Sequence, residues 1–181
     1  MLAPTKEFGM SITSPVPRRL DGERRPGAVT VLAVLLALLA VGALQGGIVM
    51  LGDPQHAFGM TTEVLARAPV DDFALPGLFL IGVGVASALA AAGFLLGWRW
   101  RWAAPLERRI GYRWPWAATI AVGVLLLAFE TAELLLIPFH PVLHPLFIAC
   151  SLAIVALAWA VRRRYAVSHD DPYRALVRLG D

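Results

Sequence analysis

The sequence predicts an all-α fold, a four-helix transmembrane bundle with both termini in the cytoplasm and an outer loop between helices 1 and 2. The first observation is composition: of 181 residues, 58% are hydrophobic and 16% charged, and the mean hydropathy is +0.66. A chain this apolar falls outside the range of ordinary soluble domains. The second is a set of four long apolar runs, and the third is the one-sided distribution of arginine. Because lipid cannot satisfy backbone hydrogen bonds, the runs should be helices.

The apolar runs divide the chain into three parts. Residues 1–27 are predicted to be a disordered basic cytoplasmic tail, residues 28–161 a four-span membrane domain, and residues 162–181 a second basic cytoplasmic tail. Each run can cross a hydrocarbon core of about 30 Å as a helix. The first is predicted to be retained, since it is longer than a signal-peptide core and lacks a clear A-x-A cleavage site. The spans are predicted at residues 28–51, 75–98, 116–137 and 142–161.

The basic residues set the predicted orientation. All but Arg67 of the 16 lysine and arginine residues lie before the first span, between the second and third, or after the fourth. Arg67 lies in an acidic loop between the first two spans. By the positive-inside rule, both termini are cytoplasmic and that loop faces outward, which predicts a multi-pass protein of the plasma membrane.

Tryptophan is concentrated on the predicted cytoplasmic side. Amphipathic indole rings prefer the headgroup layer, so these residues are predicted to be interfacial anchors in the lipid bilayer. Alternating Trp and Arg could also stack on nucleic acid. Attraction of arginine to anionic lipid explains the same pattern, and no nucleic-acid partner is expected. The predicted anchors are Trp98, Trp100, Trp102, Trp114 and Trp116.

Two carboxylates interrupt the third span. Glu130 and Glu133 lie in an otherwise apolar run, and ionisable residues within a span indicate function by default. At i and i+3 they share one helix face, about 12 and 8 Å below the outer end of the span. Both are therefore predicted to turn toward the other helices. Two carboxylates in a low dielectric cannot both ionise cheaply, so we expect them to share a proton.

Two histidines follow immediately, in the segment 138–145 with the sequence PFHPVLHP. The prolines separate this segment from the HExxH pattern of zinc proteases, in which both histidines share a helix face. Histidine and glutamate are nevertheless suitable ligands for zinc or iron. The alternative is a structural cluster, in which the histidines cap the turn and bond to water or to Asp71 and Asp72. The glutamates would then pair with Gln45, Thr131 or the backbone of neighbouring helices. The candidate polar pocket is Glu130, Glu133, His140, His144 and Gln45.

The predicted outer loop, residues 52–74, is acidic. Its Asp-Pro sequence predicts a turn, residues 61–67 predict a short capped helix, and Pro69 ends it. The loop is expected to fold over the mouth of the bundle. Its carboxylates could bind a hard cation, but their spacing matches no ligand pattern, and a solvated acidic loop is the preferred interpretation. The candidates in this loop are Asp53, Asp71 and Asp72, together with His56 and Glu63.

Three segments carry a resemblance to a known group of proteins. They are residues 46–54 (GGIVMLGDP), Gly59 with Met60, and residues 72–80 (DFALPGLFL). In these segments the chain resembles small four-span integral membrane proteins of actinobacterial type. The resemblance implies a four-helix protein of the plasma membrane with no established reaction, and it assigns no role to the glutamates or histidines.

The pattern as a whole predicts a non-enzymatic membrane protein with an outward-facing polar pocket. It would be a small-ligand or ion-handling component, or an accessory subunit that contacts a partner membrane protein or a second copy. The alternative is a membrane redox or metal-dependent enzyme that uses the Glu and His cluster. The sequence contains no phosphate-binding glycine loop, no G-x-S-x-G elbow and no CxxC pair. No cofactor is predicted, although the cluster is compatible with a metal or a quinone.

Overall fold

The computed structural model describes residues 27–137 and 143–167. It confirms the all-α prediction, because four helices are long and apolar enough to cross a membrane. Each lies within two residues of its predicted span at both ends. The predictions for the two tails beyond these ranges and for His140 fall outside the described residues. The helices are α1 (Gly27–Gly52), α2 (Ala74–Leu96), the short α3 (Ala104–Ile110), α4 (Trp114–Leu136) and α5 (Leu143–Val161).

The bundle has two distinct ends. Helix α1 packs mainly on α2 and α4 on α5, while α2–α4 and α1–α5 contacts join the two pairs. Backbone hydrogen bonds from Arg113 N to Tyr165 O and from Val167 N to Gly111 O, both 2.8 Å, tie the start of α4 to the end of α5. We call this the arginine end, because the described arginines other than Arg67 lie at it. The opposite end, where α1 joins α2 and α4 approaches α5, is the loop end.

The outward surfaces of the long helices are apolar. Large aliphatic side chains are exposed along α1, α2, α4 and α5, among them Leu38, Leu78, Leu125 and Leu152. A soluble monomer rarely exposes contiguous apolar surface on this scale, whereas hydrocarbon solvates it well. Together with the length of the helices, this surface describes a multi-pass membrane protein.

Helices α1 and α2 approach most closely where two glycines face each other. A Cβ atom added at Gly47 would lie 2.7 Å from the carbonyl oxygen of Gly77, and one added at Gly77 would lie 2.9 Å from Cβ of Met50. In lipid there is little hydrophobic drive between helices, so close packing of small residues supplies the attraction. The absence of a side chain at Gly47 therefore allows α1 and α2 to approach closely.

We expect Gly47→Ala to lower the free energy of unfolding by about 1–2 kcal/mol, since overpacking outweighs the gain in helix propensity. The measurement is unfolding of the purified protein in mixed micelles titrated with SDS. Gly42→Ala is the matched control, because nothing lies within 4 Å of a Cβ atom there, and it should be neutral or stabilising. Equal effects of the two substitutions would show that α1 and α2 do not meet at Gly47.

The arginine end is closed by aromatic packing. The carboxylate of Glu107 in α3 accepts a hydrogen bond from the backbone N of Trp114 (2.8 Å), which places an anion at the start of α4. Indole Nε1 of Trp114 donates to the carbonyl oxygen of Trp98 (3.0 Å), and that of Trp116 donates to the carbonyl oxygen of Ala158 (2.8 Å). Both donors are thus satisfied within the protein.

This packing corrects the prediction for two of the tryptophans. Trp114 and Trp116 are only 6% and 9% exposed, so they pack inside the bundle and do not serve as lipid anchors. Trp98, Trp100 and Trp102 are exposed, as an interfacial anchor must be. Their role as anchors stays a prediction.

The α1–α2 loop is folded against the loop end. Two short antiparallel strands, β1 (His56–Ala57) and β2 (Met60–Thr61), pair His56 with Thr61. They are joined by Phe58 and Gly59, both with positive φ (53° and 75°), as a type I′ hairpin turn requires. A 3₁₀ helix, Thr62–Leu65, follows.

The loop has a small apolar core of its own. Its buried side chains come from α1, the hairpin, the 3₁₀ helix and the start of α2, and Ile137 at the end of α4 packs against them. The short helix predicted at residues 61–67 is present as the shorter 3₁₀ helix, but its predicted cap is not, since Thr61 makes no side-chain capping bond. The hairpin is an addition to the prediction. The loop thus contacts the end of α4 that carries the two glutamates. The core residues are Met50, Ala57, Leu65 and Phe73.

Candidate functional site

Helix α4 turns one continuous stripe of residues into the bundle. Thr119, Val122, Leu126 and Glu130 are all buried, and their spacing of three or four residues places them on one helix face. Glu130 is 3% exposed. The prediction that this glutamate faces the other helices is therefore confirmed by its burial.

The other buried polar groups on the long helices show how a hydroxyl is accommodated in this bundle. Ser87, Thr119 and Ser151 each donate to the carbonyl oxygen four residues earlier, at 2.7, 2.8 and 2.7 Å. Such a bond satisfies a hydroxyl within its own helix. A carboxylate cannot do the same, because an ionised carboxylate only accepts hydrogen bonds.

Glu130 is different from these residues. Within residues 27–137 and 143–167, its Oε2 atom is buried and has no hydrogen-bond partner. A buried polar atom without a partner costs about 1–3 kcal/mol. Its presence therefore requires an explanation beyond packing.

Glu130 belongs to a cluster of three ligand-type side chains, which we call the Glu–His cluster: Glu130, Glu133 and His144. One oxygen of each glutamate and one ring nitrogen of His144 all lie within 4.8 Å of one another. Nε2 of His144 is 3.8 Å from Oε2 of Glu133. The side chains of His144 and Glu133 are 7% and 24% exposed, so the cluster is largely enclosed.

Two helix ends position the cluster. Glu130 and Glu133 lie six and three residues before the end of α4, which corresponds to depths of about 9 and 5 Å. His144 is the second residue of α5. Pro145 follows it without penalty, because the first turn of a helix does not use its N–H groups. The helical start of α5 thus aims His144 at α4, which the sequence alone left undecided.

Gln45 and Thr131, two polar residues named in the sequence prediction, are both exposed. Gln45 is exposed on α1, whereas Glu130 and His144 are buried, and its membership of the pocket stays a prediction. Thr131 is exposed and donates to the carbonyl oxygen of Leu127 (2.7 Å). It therefore does not serve as the predicted partner of the glutamates.

Two acidic residues of the α1–α2 loop, Asp53 and Asp72, accept structural hydrogen bonds. Oδ1 of Asp53 accepts from the backbone N of Gln55 (3.2 Å) and of His56 (3.1 Å), and Oδ1 of Asp72 accepts from Ala74 N (2.9 Å) at the start of α2. These are turn and helix-start bonds. Among the described residues, the Glu–His cluster is the group of three that could share a metal ion, and the loop carboxylates are not part of it. The solvated-loop interpretation fits these contacts.

A recess of about 110 Å³ lies at the arginine end between α2, α3 and α4. Its lining includes Arg99, Arg113 and Glu107. The Glu107 carboxylate supplies a negative charge beside the two arginines. It also accepts a hydrogen bond from the backbone N of Trp114. Among the described residues, the buried side-chain atom without a hydrogen-bond partner lies in the Glu–His cluster, at the opposite end.

The chain was compared with protein-family models, with curated proteins and with solved structures, and none of the three comparisons gave a match. The similarity to four-span proteins of actinobacterial type therefore stays a prediction. The function has to be argued from the chemistry of the cluster.

Proposed function

We propose that this protein is an ion-handling membrane protein that binds a proton or a metal cation at the Glu–His cluster. The observation that carries the proposal is the buried Oε2 of Glu130, which has no hydrogen-bond partner among the described residues. A bound cation or proton would satisfy that atom. The chemistry is that of binding and exchange; no covalent step on a substrate is involved.

The electrostatics of the site support a positively charged ligand. Two carboxylates lie close together in a bundle whose exterior is apolar, and an uncompensated charge there is expensive. Ionised carboxylates only accept hydrogen bonds, and a neutral His144 adds one accepting nitrogen and one N–H donor. The cluster therefore has more hydrogen-bond acceptors than donors. A proton shared between the glutamates, or a cation between them, restores the balance.

The position of the cluster supports access from the loop end. The glutamates lie about 5–9 Å from the end of α4, and the α1–α2 loop packs against Ile137 at that end. We propose that the arginine end faces the cytoplasm of a plasma-membrane protein, as the positive-inside rule favours. The cluster would then exchange its ion with the outer side, beneath the loop.

The test uses dicyclohexylcarbodiimide, an apolar reagent that modifies protonated carboxyl groups in apolar surroundings. We expect modification of Glu130 or Glu133, located by mass spectrometry of the protein in lipid vesicles. Prior addition of the site's cation should suppress this modification, with Na⁺, K⁺, Mg²⁺, Ca²⁺ and Zn²⁺ tried separately. Glu63 in the α1–α2 loop and Glu107 in α3 lie outside the four long helices. They are internal controls and should stay unmodified.

Two variants sharpen the labelling test. Glu130→Gln should abolish or redirect the modification, whereas Glu63→Gln should leave it unchanged. If the glutamates of α4 are no more reactive than Glu63 and Glu107, and no cation changes their reactivity, the cluster does not exchange ions and the proposal is rejected.

One observation favours a second role, as a subunit of a larger membrane assembly. Gln45 lies on the exposed face of α1, in a row with Leu38, Val41 and Ile48 at spacings of three and four. An amide facing hydrocarbon lacks partners. Because an amide both donates and accepts, two copies of this face could pair through Gln45, and we propose a second copy of the chain as the partner.

We expect Gln45→Leu to weaken self-association about 3- to 20-fold, since one interhelical hydrogen bond in a membrane is worth about 0.6–1.7 kcal/mol. Analytical ultracentrifugation in detergent measures the association, and Gln45→Asn, which keeps the amide, is the control. A wild-type protein that is monomeric at every concentration, or a Gln45→Leu variant that associates normally, would contradict the pairing.

A further inference from the structure

We infer that the Glu–His cluster is a site for one divalent transition-metal ion of the Zn²⁺ class, with Glu130, Glu133 and His144 as its three protein ligands. This inference rests on the proposed function and names the ligand of the same site.

The ligand types select the class of metal. Ca²⁺ and Mg²⁺ take six or more ligands, nearly all of them oxygens, and the cluster supplies one imidazole nitrogen and two carboxylates. Imidazole with carboxylate is a donor set that suits Zn²⁺ and its neighbours in the first transition series. His144 therefore argues against the hard alkaline-earth ions.

The separations suit a small four-coordinate ion. Ligand atoms at about 2.0–2.1 Å from a tetrahedral metal lie about 3.3 Å from one another. Nε2 of His144 and Oε2 of Glu133 are 3.8 Å apart, and all three ligand atoms lie within 4.8 Å. Side-chain rotations that move the ligand atoms by about 1 Å would bring them to these separations without moving either helix. Three protein ligands leave a fourth position for water or an external ligand.

The charges also favour a divalent ion. Two ionised glutamates with a neutral histidine carry two negative charges, which a divalent cation cancels completely. A monovalent ion would leave one net negative charge in a largely enclosed site, and such charges are expensive in a low dielectric. Among metal ions, a divalent cation is the one that makes the ionised cluster neutral.

The unsatisfied atom is the second, independent observation. Oε2 of Glu130 is buried and has no hydrogen-bond partner among the described residues, while the buried hydroxyls of the bundle are bonded within their own helices. Metal ligation accounts for an acceptor held in the bundle with no donor supplied. A purely structural cluster would be expected to provide one.

The experiment is a zinc titration of the full-length protein in detergent, after chelation and desalting. Competition with a zinc-sensitive dye gives the affinity, and elemental analysis after gel filtration gives the stoichiometry. We expect about one zinc per chain, with Mg²⁺ and Ca²⁺ failing to compete. His144→Ala and Glu130→Gln should each weaken binding by at least about 100-fold, because even outer-shell changes at metal sites cost about 10- to 100-fold.

His56→Ala is the matched control. His56 is exposed in the α1–α2 loop, 3.5 Å from Asp53, so its loss should leave the affinity for zinc unchanged. X-ray absorption at the zinc edge supplies a readout that does not depend on affinity, since the imidazole signal should be present in the wild type and lost in His144→Ala. Elution volume in gel filtration checks that each variant is folded.

Two results would overturn the inference. The first is a folded wild-type protein that retains no stoichiometric zinc, and the second is zinc binding that is equal in wild type and His144→Ala. Carbodiimide modification of the α4 glutamates, with protection by another cation, would still support the ion-handling function in either case. If the protein neither binds zinc at the cluster nor shows cation-protected carbodiimide modification of the α4 glutamates, the proposed function is rejected together with the inference.

Discussion

Leu126→Ala is expected to lower the free energy of unfolding by about 2–3 kcal/mol, the lower part of the range of about 2–5 for buried leucines. Leu126 is 1% exposed and lies on the α4 stripe that ends at Glu130. The truncation leaves a cavity and removes packing contacts. The effect stays at the lower end because the side chain remains in apolar surroundings when the helices separate within a micelle.

The control for Leu126 is its neighbour in the sequence. Leu125 is 52% exposed, so Leu125→Ala should change stability by less than about 0.5 kcal/mol. Both variants are measured by SDS titration in mixed micelles. A larger effect at Leu125 than at Leu126 would mean that α4 is rotated, and Glu130 would then face lipid.

Glu130→Leu is expected to raise the stability of the metal-free protein by about 1–3 kcal/mol. The substitution removes a buried acceptor that has no partner among the described residues, and leaving such a group buried costs about that much. Replacing a buried ionic group by an apolar residue of similar volume is often stabilising. The gain in stability should coincide with loss of cation protection in the carbodiimide assay.

The companion variant for Glu130 is Glu130→Gln, which keeps a polar group of the same length and should change stability less than Glu130→Leu does. Unfolding is followed in the presence of a chelator so that no metal contributes to the folded state. If Glu130→Leu instead lowers stability by more than about 1 kcal/mol, the carboxylate has a structural partner, and a functional explanation for its burial loses its basis.

Most of the fold could be predicted from the sequence because the bilayer imposes simple rules. A helix must carry about 20 apolar residues to cross, so each long helix ends within two residues of its predicted span. The hairpin that the sequence did not predict lies in the α1–α2 loop, where the rules for membrane-spanning helices do not apply. The hairpin depends on Phe58, a non-glycine residue with positive φ, and such a conformation has no reliable sequence signal.

The sequence also does not predict which tryptophans are buried. Their positions in the sequence place all of the tryptophans near one membrane face. Only the packing of the helices decides which indole N–H finds an acceptor within the protein. Trp116 donates to Ala158 O from the next helix, a pairing across 42 positions of sequence that no local pattern indicates. Trp114 is buried by the same kind of contact.

The candidate site could be predicted only in part, because its glutamates have a local sequence signal and the approach of His144 does not. Glu130 and Glu133 stand out because charges are rare in spans, and the helical period puts them on one face. The approach of His144 depends on where α5 begins, and Pro145 leaves that boundary ambiguous in the sequence. Polarity alone does not locate Gln45, which is exposed on α1.

The most direct test of the central claim, that Glu130, Glu133 and His144 bind a cation in place of a proton, is an infrared difference spectrum. The protein in lipid is recorded before and after addition of Zn²⁺, or of the cation that protects best against carbodiimide. We predict loss of the carbonyl band of a protonated carboxylic acid, with a gain in carboxylate bands. That difference should be absent when Glu130 and Glu133 are both replaced by Gln. A wild-type spectrum that no cation changes, or a change that persists in the double variant, would contradict the account.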